Sequence, residues 1–401
     1  MEFGPIFSSL RRSPTGAILV ALQIALALAI TANSLYIITQ RLEAIGRDSG
    51  MDVPNLFVVV FAPVGKAFNG EAAMREDLQV LRSLAGVVDA VAINAVPLSG
   101  GGSASSYFTE PGEKGVKSPA NFFTVDEHGI GTLGVKLVEG RNFDASVVRK
   151  YPRNSSESPP EMIMTRAAAE ALFPGQSAVG KTVYDGLGQP SRVVGVVELM
   201  HGAWPSWDKF ERVILLPVIP DEQQAVYMVR AKPGQRDAMM ALAEEKLGAL
   251  DNGRIITKVR SLEFIAANTY ADDRAMAVYM TVVIALLLGI AALGVFGLAA
   301  FNVSTRTKQI GTRRAVGARR FDIVRYFLVE NWMVTTVGVV AGCVLALLLG
   351  YWLSTAFELP RLKLYYLLAG VVGLWAVGLA AALVPARRAS LVSPAVATRT
   401  V

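Results

Sequence analysis

Residues 275–305 read AMAVYMTVVIALLLGIAALGVFGLAAFNVST, 31 positions without Asp, Glu, Lys or Arg. A hydrocarbon layer about 30 Å thick is crossed by roughly 20 apolar residues of helix. Buried helices of water-soluble proteins seldom run this long without a charge. Three more stretches repeat the pattern, at 13–40, 331–357 and 364–386, with 28, 27 and 23 uncharged positions. These runs predict an α-helical membrane protein with four transmembrane helices. The remaining composition agrees: of 401 residues 52% are hydrophobic and 18% charged, with a mean hydropathy of +0.41. Average soluble proteins carry about 25% charged residues, and disorder requires low hydrophobicity with high charge.

The first apolar run follows Arg11 and Arg12 but continues through Leu35, Tyr36, Ile37 and Ile38. That exceeds the roughly 7–15 residues of a signal-peptide core, so an uncleaved signal anchor is expected. The distribution of basic residues sets the topology. Arg11 and Arg12 precede the first span. Arg306, Lys308, Arg313, Arg314, Arg319, Arg320 and Arg325 lie between the second and third, and Arg387, Arg388 and Arg399 follow the fourth. Only Glu358, Arg361 and Lys363 lie between the third and fourth. This expectation puts both termini and residues 306–330 in the cytoplasm. Residues 1–40 are then a cytoplasmic N-terminus with the first helix, 41–274 an outer domain, and 275–401 a membrane domain with helices two to four. Residues 41–274 carry 25 basic and 29 acidic side chains, so the net +6 of the chain divides into −4 outside and +10 elsewhere. A nucleic-acid face would need basic clusters on the soluble part, and no nucleic-acid partner is expected.

Within 41–274, residues 55–62 (NLFVVVFA) read as a strand. Residues 71–84 follow as a helix, with Met74, Leu78, Leu81 and Leu84 at helical spacing, and 87–93 as a second strand. The order returns as strand 224–230, helix 236–250 and strand 254–259. The predicted fold is therefore an α/β extracytoplasmic domain between helices one and two, a split β-α-β module with an inserted subdomain. Gly-, Ser- and Pro-rich loops at 98–106 and 153–160 punctuate the insertion. A short helix is expected at 165–173, strands at 192–197 and 212–216, and a helix at 261–270 running into the second span.

Little here suits catalysis. One cysteine, Cys343, excludes a disulfide framework, and two histidines, His128 and His201, leave little for a metal site or a Ser-His-Asp triad. Residues 175–182, GQSAVGKT, match the phosphate-loop pattern G-x-x-x-x-G-K-[ST]. That loop needs a strand before it and a helix after it. Here TRAAAEALF reads as a helix before it and TVYDG as a strand after it, so the match reads as a turn. Asp126, Glu127 and His128 read as a solvated loop, and Asp272 and Asp273 as an exposed helix end. Met239 and Met240 read as core residues, and the sequon at Asn154 as a chance match.

In the third span Gly338, Gly342, Ala346 and Gly350 recur every fourth position, a face that admits a second helix closely. Packing within the chain's own bundle and a dimer interface both satisfy it. Ala285 and Gly289 form a shorter version in the second span. Gln23 and Asn33 are expected to pair across helices. No acidic or basic residue lies inside any span, which argues against an ion-coupled transporter. Residues 306–330, RTKQIGTRRAVGARRFDIVRYFLVE, are basic in their first half. Gly311 and Gly317 suggest a short helix, a turn and the start of span three, with Ile323, Phe327 and Val334 as an apolar stripe.

That segment resembles the signature of MacB/FtsX-type ABC transporter permeases, in which a basic stretch meets a Gly-Ala-Arg-Arg turn. The tail PARRASLVSPAVATR, together with LFPGQSAVGKTV and VKLVEGRNF in the outer domain, resembles other parts of the same family, so the likeness covers nearly the whole chain. It implies a MacB-like periplasmic core domain at 41–274 with a porter-like module, and an FtsX-like permease domain at 275–401 in a bacterial inner membrane. It further implies that residues 306–330 form a coupling segment docking on a cytoplasmic ABC ATPase subunit. Arg313, Arg314, Gly317, Ala318, Arg319, Arg320 and Asp322 match that motif. The expected partners are that ATPase, a second permease subunit in a homodimer or heterodimer, membrane lipid, and a periplasmic adaptor or outer-membrane protein. No cofactor is expected in this chain. ATP and magnesium would be bound by the ATPase, a separate polypeptide, so the chain itself is not expected to be an enzyme. The implied activity is mechanotransmission for export of peptide, antibiotic or other amphiphilic cargo. The alternatives are a lipoprotein-release or cell-wall-hydrolase-regulating permease of the same family, or a non-transporting membrane sensor or scaffold.

Overall fold

The computed structural model describes residues 14–64, 69–151, 157–221, 225–250, 253–356 and 362–393. Arg11, Arg12, Asn154, Gln224, Glu358, Arg361 and Arg399 lie outside the described residues. The chain forms two compact units, one of residues up to Ile45 with those from Asp272 onward, the other of Gly46–Ala271.

The first unit contains α1 (Pro14–Ile45), α7 (Ala271–Thr305), the short α8 (Thr307–Ala315), α9 (Arg320–Ala356) and α10 (Leu364–Ser390). The four long ones are each apolar and long enough to cross a membrane. At 1.5 Å per residue, the 37 residues of α9 extend about 55 Å, so its charged first turns project beyond a hydrocarbon layer. Lipid tails are as apolar as leucine, so close packing and interhelical hydrogen bonds must hold such helices together. Both are present where α9 meets α1. A Cβ on Gly338 would lie 2.7 Å from the Ala21 carbonyl, and one on Gly342 would lie 2.9 Å from the Leu28 Cβ. Ala346 is fully buried. Asn33 Nδ2 donates to the Ala346 carbonyl at 3.1 Å, and Gly350 faces Asn33. The small-residue stripe is therefore filled by α1 of the same chain, the first of the two packings its spacing allows. Ala285 and Gly289 on α7 are instead exposed, with nothing within 4 Å of a Cβ at Gly289. Asp273, expected at an exposed helix end, forms an ion pair with Arg41 of α1.

The second unit begins with β1 (Leu56–Pro63), α2 (Gly70–Ser83) and β2 (Val87–Ile93), and ends with β10 (Val226–Ala231), α5 (Arg236–Gly248), β11 (Arg254–Ser261) and α6 (Leu262–Thr269). The sheet order is β11-β1-β10-β2 with every neighbouring pair antiparallel. Each β-α-β crossover thus spans a strand of the other, the split β-α-β arrangement. Alternate side chains of β1 serve opposite faces. Phe57, Val59 and Phe61 pack with Met74, Leu78 and Leu81 of α2 and Leu247 of α5. Leu56 and Val58 pack with Phe123, Ile163, Val197 and Leu215 of the insertion. Burial on both faces explains why residues 55–62 are continuously apolar rather than alternating.

The insertion holds β3 (Ala104–Glu110), β4 (Lys114–Val125), α3 (Gly129–Leu133), β5 (Leu137–Gly140), β6 (Glu161–Thr165), α4 (Arg166–Leu172), β7 (Thr182–Tyr184), β8 (Pro190–Val197) and β9 (Val213–Pro217). Its sheet runs β5-β8-β6-β9-β4-β3-β7, and β7 also pairs with β8, so the sheet closes on itself. Met162, Met164, Val183 and Ile214 of its strands pack together with Leu172 of α4.

Beneath α2, Asp77 and Arg254 are almost fully buried as an ion pair. Arg254 Nε donates to Asp77 at 2.8 Å and Nη1 to the Leu247 carbonyl at 2.7 Å. The Tyr227 hydroxyl donates to Asp77 at 2.7 Å. Burial, then the Asp77 charge, push that hydroxyl above the usual phenol range. Elsewhere in the unit His201 is 2% exposed and lies edge-on to Phe210 at 4.6 Å. Burial, then the Arg47 guanidinium, hold its imidazole down at about 4.

Three outcomes follow for the purified full chain. Arg254→Met leaves Asp77 buried without its cation and should destabilise the outer unit by about 3–5 kcal/mol. The double variant Asp77→Leu/Arg254→Met should lose less, as read from denaturant midpoints. Gly342→Leu forces a branched side chain against Ala25 and Leu28 and should cost the bundle about 1–3 kcal/mol, seen as a lower melting temperature in detergent. An unfolded His201 binds its proton near pH 6.5, the folded one only near 4. The folded state therefore loses stability as pH falls through that window, by about 3 kcal/mol in total. His201→Leu should remove that part of the slope while leaving the profile above pH 7 unchanged.

Candidate functional site

The polar segment joining α7 to α9 folds as a helix and a turn. The last turn of α8 closes with Gly317 at φ +105°, a conformation that favours glycine. Gly317 N–H donates to the Arg314 carbonyl and Ala318 N–H to the Arg313 carbonyl, each at 3.1 Å. This is the paired bonding of a Schellman cap. α9 then starts at once: the Asp322 carboxylate accepts from Arg319 N–H at 2.9 Å, the returning half of a capping box. One glycine and one carboxylate thus turn the chain tightly between two helices.

The turn is braced from below. Arg314 Nη1 donates to the carbonyls of Ser390 at 3.0 Å and Val392 at 2.7 Å, capping the end of α10. Arg306 pairs at 3.1 Å with Glu330, which is buried in α9. The Arg313 guanidinium lies 4.8 Å from the Tyr326 ring. Ile310, Ile323, Phe327, Ala386 and Ala389 pack beneath as one small core. Ile323 and Phe327 therefore face the chain's own helices and present no docking stripe.

The seven residues of the basic motif divide by position. Arg314 turns inward to brace the segment, Arg313 stays exposed while lying over the Tyr326 ring, Gly317 and Asp322 shape the turn, and Ala318 is half-buried. Arg319 and Arg320 are exposed. Beside them stand two apolar side chains that sequence reasoning passed over: Val316, 85% exposed, and Phe321, 71% exposed. The available signal was their size and apolarity inside a basic stretch. The resulting surface is a protruding patch of two cations and two apolar side chains on a rigid base. It is suited to an acidic, partly apolar protein surface rather than to chemistry.

The other candidates resolve differently. Within GQSAVGKT the segment runs from α4 to β7, helix to strand. Gly180 N–H donates to the Val193 carbonyl at 2.8 Å and Lys181 N–H to Ala178 at 3.1 Å. The Lys181 ammonium sits 4.4 Å from the Phe173 ring. The amides and lysine that would cradle a phosphate are engaged within the turn. Asp126, Glu127 and His128 are less solvated than the sequence suggests. Arg82 binds Asp126 at 2.9 Å, and His128 Nδ1 lies 2.8 Å from Asp89. Burial, working against Arg82, raises the Asp126 carboxyl above its usual range. This cluster ties α2 and β2 to α3.

Residues 17–246 match the family model for the MacB-like periplasmic core domain, more than half of the chain, and residues 281–394 that for the FtsX-like permease C-terminal region. The chain is 29% identical to the macrolide export ATP-binding/permease protein MacB of Agrobacterium fabrum over 292 residues, 69% of this chain and 41% of that protein. It is 28% identical to the Bartonella quintana protein of the same name over 284 residues, 68% of this chain and 41% of that one. The chain thus spans about two fifths of the length of these relatives. Among solved structures, the periplasmic region of MacB from Actinobacillus actinomycetemcomitans aligns at 15% identity and a TM-score of 0.33, over 56% of this chain and 97% of that one. With four membrane-length helices and an α/β unit between the first and second, the chain belongs to the MacB/FtsX family of ABC transporter permeases.

Proposed function

We propose that this chain is the permease subunit of an exporter in a bacterial inner membrane, with both termini cytoplasmic and residues 41–274 periplasmic. In this reading Val316, Arg319, Arg320 and Phe321 dock on a cytoplasmic ABC ATPase subunit that binds ATP and magnesium. ATP-driven movement of that ATPase pushes the turn, and the helices pass the movement to the periplasmic domain. The observation that carries the reading is the brace under the turn. Arg314 links α8 to the end of α10, and Arg306 links the α7–α8 junction to α9, so a push at the tip reaches three long helices without local slack. The apolar stretches 275–305, 331–356 and 364–386 contain no Asp, Glu, Lys, Arg or His, which suits helices that transmit force rather than conduct ions. The exposed Ala285 and Gly289 on α7 are compatible with a second permease subunit packing there. The cargo in this reading is an amphiphile such as a peptide or antibiotic.

The test is copurification of the chain with its ATPase in nanodiscs and measurement of ATP turnover. Arg319→Glu/Arg320→Glu should weaken ATPase binding at least tenfold, about 1.4 kcal/mol or more. Gly317→Pro should also abolish permease-dependent stimulation, because proline holds φ near −65° and lacks the donor to Arg314. Undiminished binding and turnover in both variants, with melting temperature preserved, would sink the assignment. The second permease subunit is checked by the mass of the complex.

A further inference from the structure

The outer unit carries a groove that the coupling surface does not use. The β1/β11 register pairs Val58 with Arg260 and Val60 with Lys258. Residues directly opposite in an antiparallel pair stand on one face of the sheet, so two apolar and two cationic side chains share a floor. Phe264 and Ile265 of α6 form one wall, and Ser99 of the loop after β2 closes the other side. The groove encloses about 460 Å³, within the roughly 300–1,000 Å³ of small-molecule sites.

Its cations lack anions. Among the described residues Lys258 has no hydrogen-bond or ion-pair partner. Arg260 donates to the Val259 carbonyl at 3.1 Å and stands 5.7 Å from the Phe264 ring. Glu263, the acid on α6, is turned to Arg236 at 2.9 Å. Two uncompensated positive charges over an apolar trough focus a field that attracts an anion and repels a cation. The complement is a molecule with an apolar body and one anionic end.

We propose that this groove binds a single-chain anionic amphiphile, its chain along Val60, Phe264 and Ile265 and its carboxylate on Lys258 and Arg260. As a statement about cargo it rests on the exporter reading and narrows it to anionic amphiphiles; the binding itself is independent of that reading.

The experiment uses the full chain in phosphatidylcholine nanodiscs, with empty nanodiscs as baseline and 11-(dansylamino)undecanoate as probe. Saturable binding is expected. Lys258→Gln/Arg260→Gln should weaken it at least tenfold without changing the melting temperature, since both positions are exposed. Dodecanoate should displace the probe at least tenfold better than dodecylamine, and Lys258→Glu/Arg260→Glu should reverse that order. Equal displacement by the two chains, or unchanged binding in the Gln variant, would overturn the proposal. So would loss of the difference between parent and Gln variant when phosphatidylglycerol enters the disc, which would assign the groove to bilayer lipid. ATP turnover measured on the same preparations separates the two readings: absent groove binding with coupling intact leaves the exporter standing, and the converse leaves the groove standing.

Discussion

The close approach of α9 to α1 is the contact on which the rest of the chain depends. α1 leaves the bundle at Ile45, and the chain returns to it only at Asp272. In lipid no hydrophobic force draws separated helices together. Missing side chains at Gly338 and Gly342 let the two backbones meet, and Asn33 adds a hydrogen bond to the Ala346 carbonyl. Without that contact the first helix would be a loose tether rather than part of a four-helix bundle.

Much of this architecture is legible in the sequence because strong physical constraints write it there. Uncharged runs mark the helices, and a strand buried on both faces has no alternation to hide behind. The two β-α-β units and their union in one split module could be seen, but the closing of the inserted sheet through β7 and β8 could not, because strand pairing across a long insertion is a tertiary choice. The glycine stripe showed that some helix packs on α9. It could not say which, since a helix of the same chain and one of a second subunit make the same demand for small residues. The basic motif was found as a block, yet its members differ in duty. Arg314 spends its guanidinium on the carbonyls of Ser390 and Val392, 76 and 78 residues away, and nothing local encodes that. Val316 and Phe321 were hidden by the charges around them.

The outer unit places its few buried charges where elements must not slide. The Asp77–Arg254–Tyr227 cluster fixes α2 to both β10 and β11. The Arg82–Asp126 pair and the His128–Asp89 contact fix the split module to its insertion. Breaking such buried or half-buried pairs is costlier than never having them, so they favour one register among the packings an apolar core would accept.

The strand pairing has a mechanical corollary. The chain enters the outer unit through β1 and leaves through β11, and Phe57 lies opposite Ser261. The residue where the ladder begins on β1 and the one where it ends on β11 are therefore hydrogen-bonded neighbours. Force that draws these two ends apart loads one rung of the ladder at a time, from Phe57 and Ser261 inward, rather than shearing all of its bonds at once. The outer unit would then open from its own threshold, strand by strand, while the core between α2 and α5 is still closed.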